Sequence, residues 1–338
     1  MISNWISKTA DVRDMVIESS VSLSRNFCDY LFVDKMKVED ARSLVDTILC
    51  VLCSKDLDEE LTIIKLWECS DSRLNILLDK NIVSSKAITR KDKSAVIFNK
   101  DKTLFININE EDHIRIQFNM NDFNLAEAYK YVNMIDNYIE EDLSYSFSQQ
   151  FGYLTSSISN VGTGLKASVI MHLPAISLSE EIPTIITKLK EQGAIVEGIF
   201  EDDKKSKGNI YKISNQATIG LEEMEIISKL EGIVREVSNE ENKFRETFCE
   251  KYKYELEDRV FRSYGILKNA KLLKEKEVFD LLSYVRLGSE ISLLDLNTRE
   301  LDRILIEIKN SIIQTNYEKQ LSDTELDLVR ASIVKQVL

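Results

Sequence analysis

The chain has 338 residues, 57 Asp and Glu against 44 Lys and Arg, a formal net charge of −13, and 43% hydrophobic residues. That length exceeds one small core and suits two or three domains, and the composition is that of a soluble globular protein. The charge argues against nucleic acid or an anionic membrane as the main partner. No apolar run reaches transmembrane length and the start MISNWISKTADVRD has no signal-peptide core, so the cytoplasm is the expected location.

All ten glycines and both prolines, Pro174 and Pro183, lie after residue 151. The first part therefore lacks punctuators and favours helices. Apolar residues recur at helical spacing at Leu44, Ile48 and Leu52, then at Ile63, Leu66, Trp67, Leu74, Leu77 and Leu78. Residues 1–88 are expected to form a small helical lobe. Within it Cys50 and Cys53 share one helix face and read as core, since a metal needs more ligands and neither of the two histidines is near. Five cysteines do not make a disulfide framework at this length.

The pattern changes at residue 89. Ser94–Asn99 and Thr103–Ile108 are β-like runs joined by Lys100-Asp101-Lys102, and His113–Phe118 is a third strand. Asn124–Asp142 is a helix with Leu125, Ala128, Tyr129, Val132, Ile135 and Ile139 on one stripe. Strands are expected at Ser168–Leu173, Ala194–Phe200 and Gly208–Ser214, and helices at Leu178–Gln192 and Leu221–Val237. Hairpin-joined strands with helices alongside make residues 89–245 an antiparallel α+β lobe. Residues 253–338 read as a helical domain, with stripes at Asp280–Leu287 and Arg299–Ile313 and a cap at Asn297-Thr298.

Phe151–Pro174 reads FGYLTSSISNVGTGLKASVIMHLP. Gly162, Thr163 and Gly164 make a tight loop whose amides can approach an anion, with Lys166 following; an ordinary glycine turn is the alternative. This stretch resembles the signature FGYLTxCPTNxGTGLRASVxxHLP of the ATP:guanidino phosphotransferase (phosphagen kinase) family, most closely its bacterial protein-arginine kinases. Asn109–Gln117 resembles the family's NEEDHxRIQ, and Gly208–Gln216 its GNIxQISNQ. The resemblance implies a guanidino kinase catalytic lobe of glutamine synthetase type, ATP with Mg2+, and phosphorylation of arginine in proteins. It also implies a setting in Clp-dependent quality control and stress regulation. The implied partners are substrate or phosphoarginine-marked proteins, the Clp ATPase machinery and a zinc-binding activator protein. A homodimer stays open.

A guanidinium is a poor nucleophile because it is always protonated, and the transferring phosphoryl spreads charge over its oxygens. The family therefore needs carboxylates for the guanidinium and arginines for the phosphates. By resemblance Glu111 is the carboxylate that orients the guanidinium. In the loop that the family writes YGEGSExxG, Asp202 keeps the earlier acid and Lys205 replaces the later one. The phosphate side is mostly gone. In the stretch matching SSRxRLARN both phosphate-gripping arginines become Ser20 and Ser22. The nucleotide-contacting histidine of RHLIS becomes Asn81, and the arginine before the mobile loop becomes Glu197. Arg115 is kept. The family's RASV becomes Lys166, Ala167, Ser168 and Val169, and its reactive cysteine becomes Ser157. A charge pair at 4 Å near a surface is worth about 4 kcal/mol before desolvation. Two Arg-to-Ser changes and one Arg-to-Glu reversal then remove several kcal/mol of transition-state binding, on the order of a thousandfold in rate. Lys204, Lys205 and Lys207 are the basic residues that could compensate. The tail motif RDxxRA, a phosphoarginine pocket in the family, is matched at Asp327 and Arg330, with Leu326 replacing its first arginine. These changes give two readings: a pseudokinase that works by binding, or an active Mg-ATP-dependent protein-arginine kinase. A small-molecule phosphagen kinase is a third class that the long tail disfavours.

Overall fold

The computed structural model describes residues 11–55, 60–80, 82–199, 206–317 and 319–338. They form two compact units. The first takes Glu18–Ser168 and Ser214–Glu231; the second takes the described residues of Met1–Ile17, Val169–Ile213 and Gly232–Leu338. The fold is α+β, an antiparallel sheet with flanking helices and C-terminal helices.

Ten strands are described: β1 Val16–Arg25, β2 Leu61–Lys65, β3 Ala95–Asn99, β4 Leu104–Ile108, β5 Ile114–Met120, β6 Phe147–Ser148, β7 Gly152–Tyr153, β8 Leu165–His172, β9 Ala194–Gly198 and β10 Ile210–Asn215. In the first unit the order is β2-β3-β4-β5-β1-β8. β1 alternates, with Val21, Leu23 and Arg25 on one face and Ser20, Ser22 and Ser24 on the other. It pairs antiparallel with β5, Ser22 opposite Gln117 and Ser24 opposite Arg115. The β3–β4 hairpin closes as expected: the Asn99 side chain accepts from the Thr103 amide at 2.9 Å, and Lys102 takes a positive φ of 55°. Helix Leu125–Glu140 starts at the Asn124 cap and buries Leu125, Ala128, Val132, Ile135 and Ile139.

Three helical expectations in residues 1–88 are corrected. Residues 16–25 form a strand because their alternation has period two, which suits a sheet with one polar face. Ile63 lies in β2, which pairs with β3, and a helix begins only at Asp71 under the Ser70 cap. In helix Val38–Ser54 the buried face is Ala41, Leu44, Val45, Ile48, Val51 and Leu52, so Cys50 and Cys53 are exposed rather than core.

The second unit has its own core. Phe279, Leu282 and Val285 of helix Glu275–Glu290 pack with Leu301, Ile304 and Leu305 of helix Thr298–Glu307, with Ala331 and Val334 of helix Asp323–Val337, and with Ile210. Asn297 caps its helix as expected, accepting from the Arg299 amide at 2.9 Å. The expected helix at 178–192 is instead two, Pro174–Leu178 and Ile182–Glu191. Pro183 cannot donate and would clash with the preceding turn, so it sits in the first turn of a new helix. A buried charge network crosses this unit. Glu241 accepts the amides of Ala175 and Ile176 and pairs with Arg245 at 2.7 Å. Arg245 reaches Glu290 at 2.6 Å, Glu290 also meets Arg286, and Arg286 meets Asp302 at 2.6 Å.

In the first unit one buried cation ties three elements together. Arg25 is 2% exposed, donates to Asp136 of helix Leu125–Glu140 at 2.8 Å and to the Thr163 carbonyl at 2.8 Å, and lies 3.6 Å from the Tyr153 ring centroid. Burial pushes the Asp136 carboxyl above its ordinary range, with Arg25 opposing that rise. We expect Arg25→Met to cost about 3–5 kcal/mol, because it strands a buried carboxylate. The double variant Arg25→Met/Asp136→Leu should recover much of that loss; thermal melts of the full chain check both.

Candidate functional site

The candidate site is the polar face of the first unit's sheet together with the turn between β4 and β5. The period-two geometry puts Ser20, Ser22 and Ser24 of β1 beside Asn119, Gln117 and Arg115 of β5. On the other side of β1 comes β8, with Lys166 and Ser168. The hydroxyls are engaged with neighbours. Ser20 Oγ lies 2.8 Å from Ser168 Oγ, and Ser22 Oγ donates to the Lys166 carbonyl at 3.3 Å. Arg115 Nη2 donates to Gln117 Oε1 at 2.9 Å, and Gln117 Nε2 passes the chain to Asn119 Oδ1 at 2.8 Å. Arg115 is 39% exposed and stands 3.8 Å from the buried Glu110 carboxylate. Its Nε is buried without a hydrogen-bond partner among the described residues.

Lys166 Nζ donates to the Asn215 carbonyl at 2.8 Å. Asn215 also accepts the Ala167 amide and donates to Leu165 and Ala217 carbonyls, fixing the start of β8. Ala167 itself is buried on the opposite face.

The glycine loop before β8 packs on protein. The Gly162 amide donates to the Tyr153 carbonyl and the Thr163 amide to the Thr218 carbonyl. A Cβ at Gly162 would lie 2.3 Å from the Thr218 carbonyl oxygen, and one at Gly164 would lie 2.5 Å from that of Ser24. These glycines allow backbone to approach backbone, so the ordinary-turn reading of this loop holds for those two amides.

The acidic turn divides into three environments. The Glu110 carboxylate accepts from Ser84 Oγ, and its carbonyl accepts from Arg90. Asp112 accepts from Asn26 Nδ2 at 2.7 Å and from the Ser156 amide at 2.6 Å, while burial pushes its carboxyl upward. Glu111 is the most exposed of the three: its side chain is 36% exposed and 2.9 Å from Lys86 Nζ. Through Asp112 the turn is held next to Ser156 and Ser157, and Ser157 Oγ meets Ser159 Oγ at 2.8 Å. So the first unit brings together Ser20, Ser22, Arg115, Lys166 and Ser168, with Glu111 four residues before Arg115 on the turn that leads into β5.

Glu197 is exposed on β9 in the second unit. Arg330, also there, is 1% exposed and donates to the Ile308 carbonyl at 2.8 Å, the Leu273 carbonyl at 2.7 Å, Asp327 at 2.6 Å and Asn310. The Asp327 side chain keeps 22% exposure. Asn81, Asp202, Lys204 and Lys205 lie outside the described residues. A cavity of about 810 Å3 in the second unit, lined by Arg235, Asn239, Asn242 and Lys243 among others, contains none of the sequence-derived residues. Sequence reasoning missed Lys86 as the Glu111 partner and the Gln117–Asn119 relay. The alternation of Arg115, Gln117 and Asn119 along one strand was the available signal for the relay.

Both histidines are buried and held neutral. His113 Nδ1 accepts from the Phe27 amide at 3.0 Å, so Nε2 carries the proton and donates to the Leu31 carbonyl at 2.8 Å. His172 Nδ1 faces Arg286 and Nε2 meets Ser283 Oγ at 2.8 Å. Burial lowers both from the ordinary value of 6.5, His172 well below, where Arg286 and Arg245 add to the effect. The unfolded chain then binds protons below pH 6.5 that the native rings refuse. Stability from these rings is complete above that pH and falls as pH drops, by up to about 1.4 kcal/mol per pH unit for each ring. Urea midpoints between roughly pH 7.5 and pH 5.5 should decline, and His113→Gln and His172→Gln should each flatten the slope.

Comparison with known proteins bears on the family of this chain. The family model described as ATP:guanido phosphotransferase, C-terminal catalytic domain, matches residues 43–244, and that of the protein-arginine kinase McsB C-terminal domain matches residues 253–338. A protein-arginine kinase of Clostridium botulinum is 42% identical over 337 residues, covering 100% of this chain and 99% of that one. One of Bacillus subtilis is 33% identical over 340 residues, covering 100% of this chain and 93% of its own. Among solved structures, a lombricine kinase crystal structure aligns with a TM-score of 0.60 at 20% identity, covering 70% of this chain and 72% of that chain, a likeness of fold.

Proposed function

This chain belongs to the protein-arginine kinase family, and from that premise we propose that it is a pseudokinase: it keeps the fold and acts by binding, with little or no phosphoryl transfer. The observation that carries this reading is the state of Ser20 and Ser22. They stand where the family resemblance puts two phosphate-gripping arginines, and their hydroxyls bond Ser168 and the Lys166 carbonyl. Two cations serve the described polar face, Arg115 and Lys166, and each already has a protein oxygen. A triphosphate with Mg2+ needs more positive charge than that. The donor set fits ATP poorly.

Glu111 favours the second reading, an active Mg-ATP-dependent kinase. Its partly exposed carboxylate could orient an incoming arginine once Lys86 moves aside. We further propose that the chain works in the cytoplasm within Clp-linked quality control and stress regulation, with a zinc-binding activator as partner. In its tail Asp327 would take the guanidinium end of phosphoarginine while Arg330 holds Asp327 in place.

Mass spectrometry for acid-labile phosphate, after incubation with Mg-ATP and an arginine-rich protein, tests the main reading. We expect no signal above that of Glu111→Ala, with or without the activator; a clear difference supports the active kinase instead. A nucleotide-induced rise in melting temperature that Arg115→Ala abolishes would count against it too. For the tail, phosphoarginine should bind Asp327→Asn roughly tenfold more weakly than the wild type, as expected for loss of one charge-assisted hydrogen bond. Equal affinities remove Asp327 from that role.

A further inference from the structure

Helix Val38–Ser54 carries a feature that phosphoryl transfer does not use. Its apolar stripe faces inward, and Cys50 and Cys53 lie on the other side, both exposed and both free thiols. Free cysteine is among the most buried residue types, so two exposed thiols on one stripe are out of character for packing. Residues three apart on a helix are neighbours, with Cβ atoms roughly 5–6 Å apart. Sulfur–metal bonds of about 2.3 Å let one ion bridge two sulfurs across such a gap.

The surroundings narrow what the pair can take. Among the described residues no group of three or more His, Cys, Asp or Glu could hold a metal ion. Both histidines of the chain are buried, so imidazole is not at hand for this helix. Among the described residues a four-coordinate zinc ion therefore finds no closed cage. A soft ion or metalloid that is satisfied by two thiolates needs none, and thiolate ligands select such species.

We propose that Cys50 and Cys53 form a dithiol site for soft thiophilic species, Cu(I) and trivalent arsenicals, held through both sulfurs. With an arsenous compound the chemistry balances without an oxidant. Two As–S bonds form, the As=O oxygen leaves as water, and the two thiol protons go with it. With Cu(I) the two thiols release their protons to solvent as two Cu–S bonds form. The pair sits at the C-terminal end of its helix, where a bridge between the side chains leaves the ladder of preceding turns intact.

The test uses the reduced full chain and phenylarsine oxide, with intact mass as the readout. Wild type should form one adduct that survives excess monothiol and is removed by 2,3-dimercaptopropanol. Cys50→Ser and Cys53→Ser should each lose at least nine-tenths of that adduct, whereas Cys28→Ser and Cys69→Ser should keep it. Serine at exposed helical positions leaves the fold in place, which a thermal melt of each variant verifies. The site is overturned if wild type forms no monothiol-resistant adduct, or if Cys28→Ser or Cys69→Ser abolishes it. Titration with Cu(I) against a chromogenic chelator is the second arm; an equivalent that binds wild type and Cys53→Ser alike would overturn the copper assignment.

Discussion

Arg25 is the contact on which the first unit depends. A guanidinium 2% exposed must be neutralised, and here a carboxylate, two carbonyls and an aromatic face meet its two Nη groups and its plane. Those partners come from a helix, from β1 itself, from the glycine loop and from β7. The cation thereby fixes the phase of β1. With Arg25, Leu23 and Val21 turned inward, Ser24, Ser22 and Ser20 have to face the other way, beside Arg115, Gln117 and Asn119. One buried charge thus decides which residues line the polar face. It also explains Gly164, whose missing side chain leaves room for the Ser24 carbonyl and the Arg25 guanidinium.

The acidic turn shows the same logic at smaller scale. Three consecutive carboxylates could all have faced water. Instead the backbone geometry that starts at Asn109, with its positive φ of 58°, gives each a separate environment. Glu110 anchors the segment of Ser84 and Arg90, Asp112 anchors Asn26 and the Ser156 amide, and Glu111 remains for solvent and Lys86. Position in a turn, more than residue type, decides which acid stays exposed.

The hairpins of β3, β4 and β5 were legible in the sequence because alternation and turn residues coincide there. Helix Leu125–Glu140 and the Asn297 cap were legible for similar local reasons. β1 was not, since three serines hid a period-two pattern in a stretch read for its missing charges. β2 was hidden because Ile63, Leu66 and Trp67 also satisfy helical spacing over a short window. Cys50 fell on the wrong face because cysteine was counted as apolar: it lies two residues, about 200°, from both Ile48 and Leu52, which places it opposite them. At the site, motif matching located Ser20, Ser22, Glu111, Arg115 and Lys166 in sequence. It could not reveal Lys86 or the Arg115–Gln117–Asn119 relay, which arise from side chains meeting across turns and along a strand.

The polar face is held by hydrogen bonds among its own groups. Hydroxyls and amides on a half-buried sheet cost about 1–3 kcal/mol for each group left unsatisfied. Here the groups answer one another: Ser20 with Ser168, Ser22 with the Lys166 carbonyl, Gln117 with both Arg115 and Asn119. An anion arriving at this face would have to displace internal hydrogen bonds as well as compete with water, and it would gain two partly engaged cations in return. Among these described groups only the Arg115 Nε is left buried without a partner, so the face is held largely by its own hydrogen bonds.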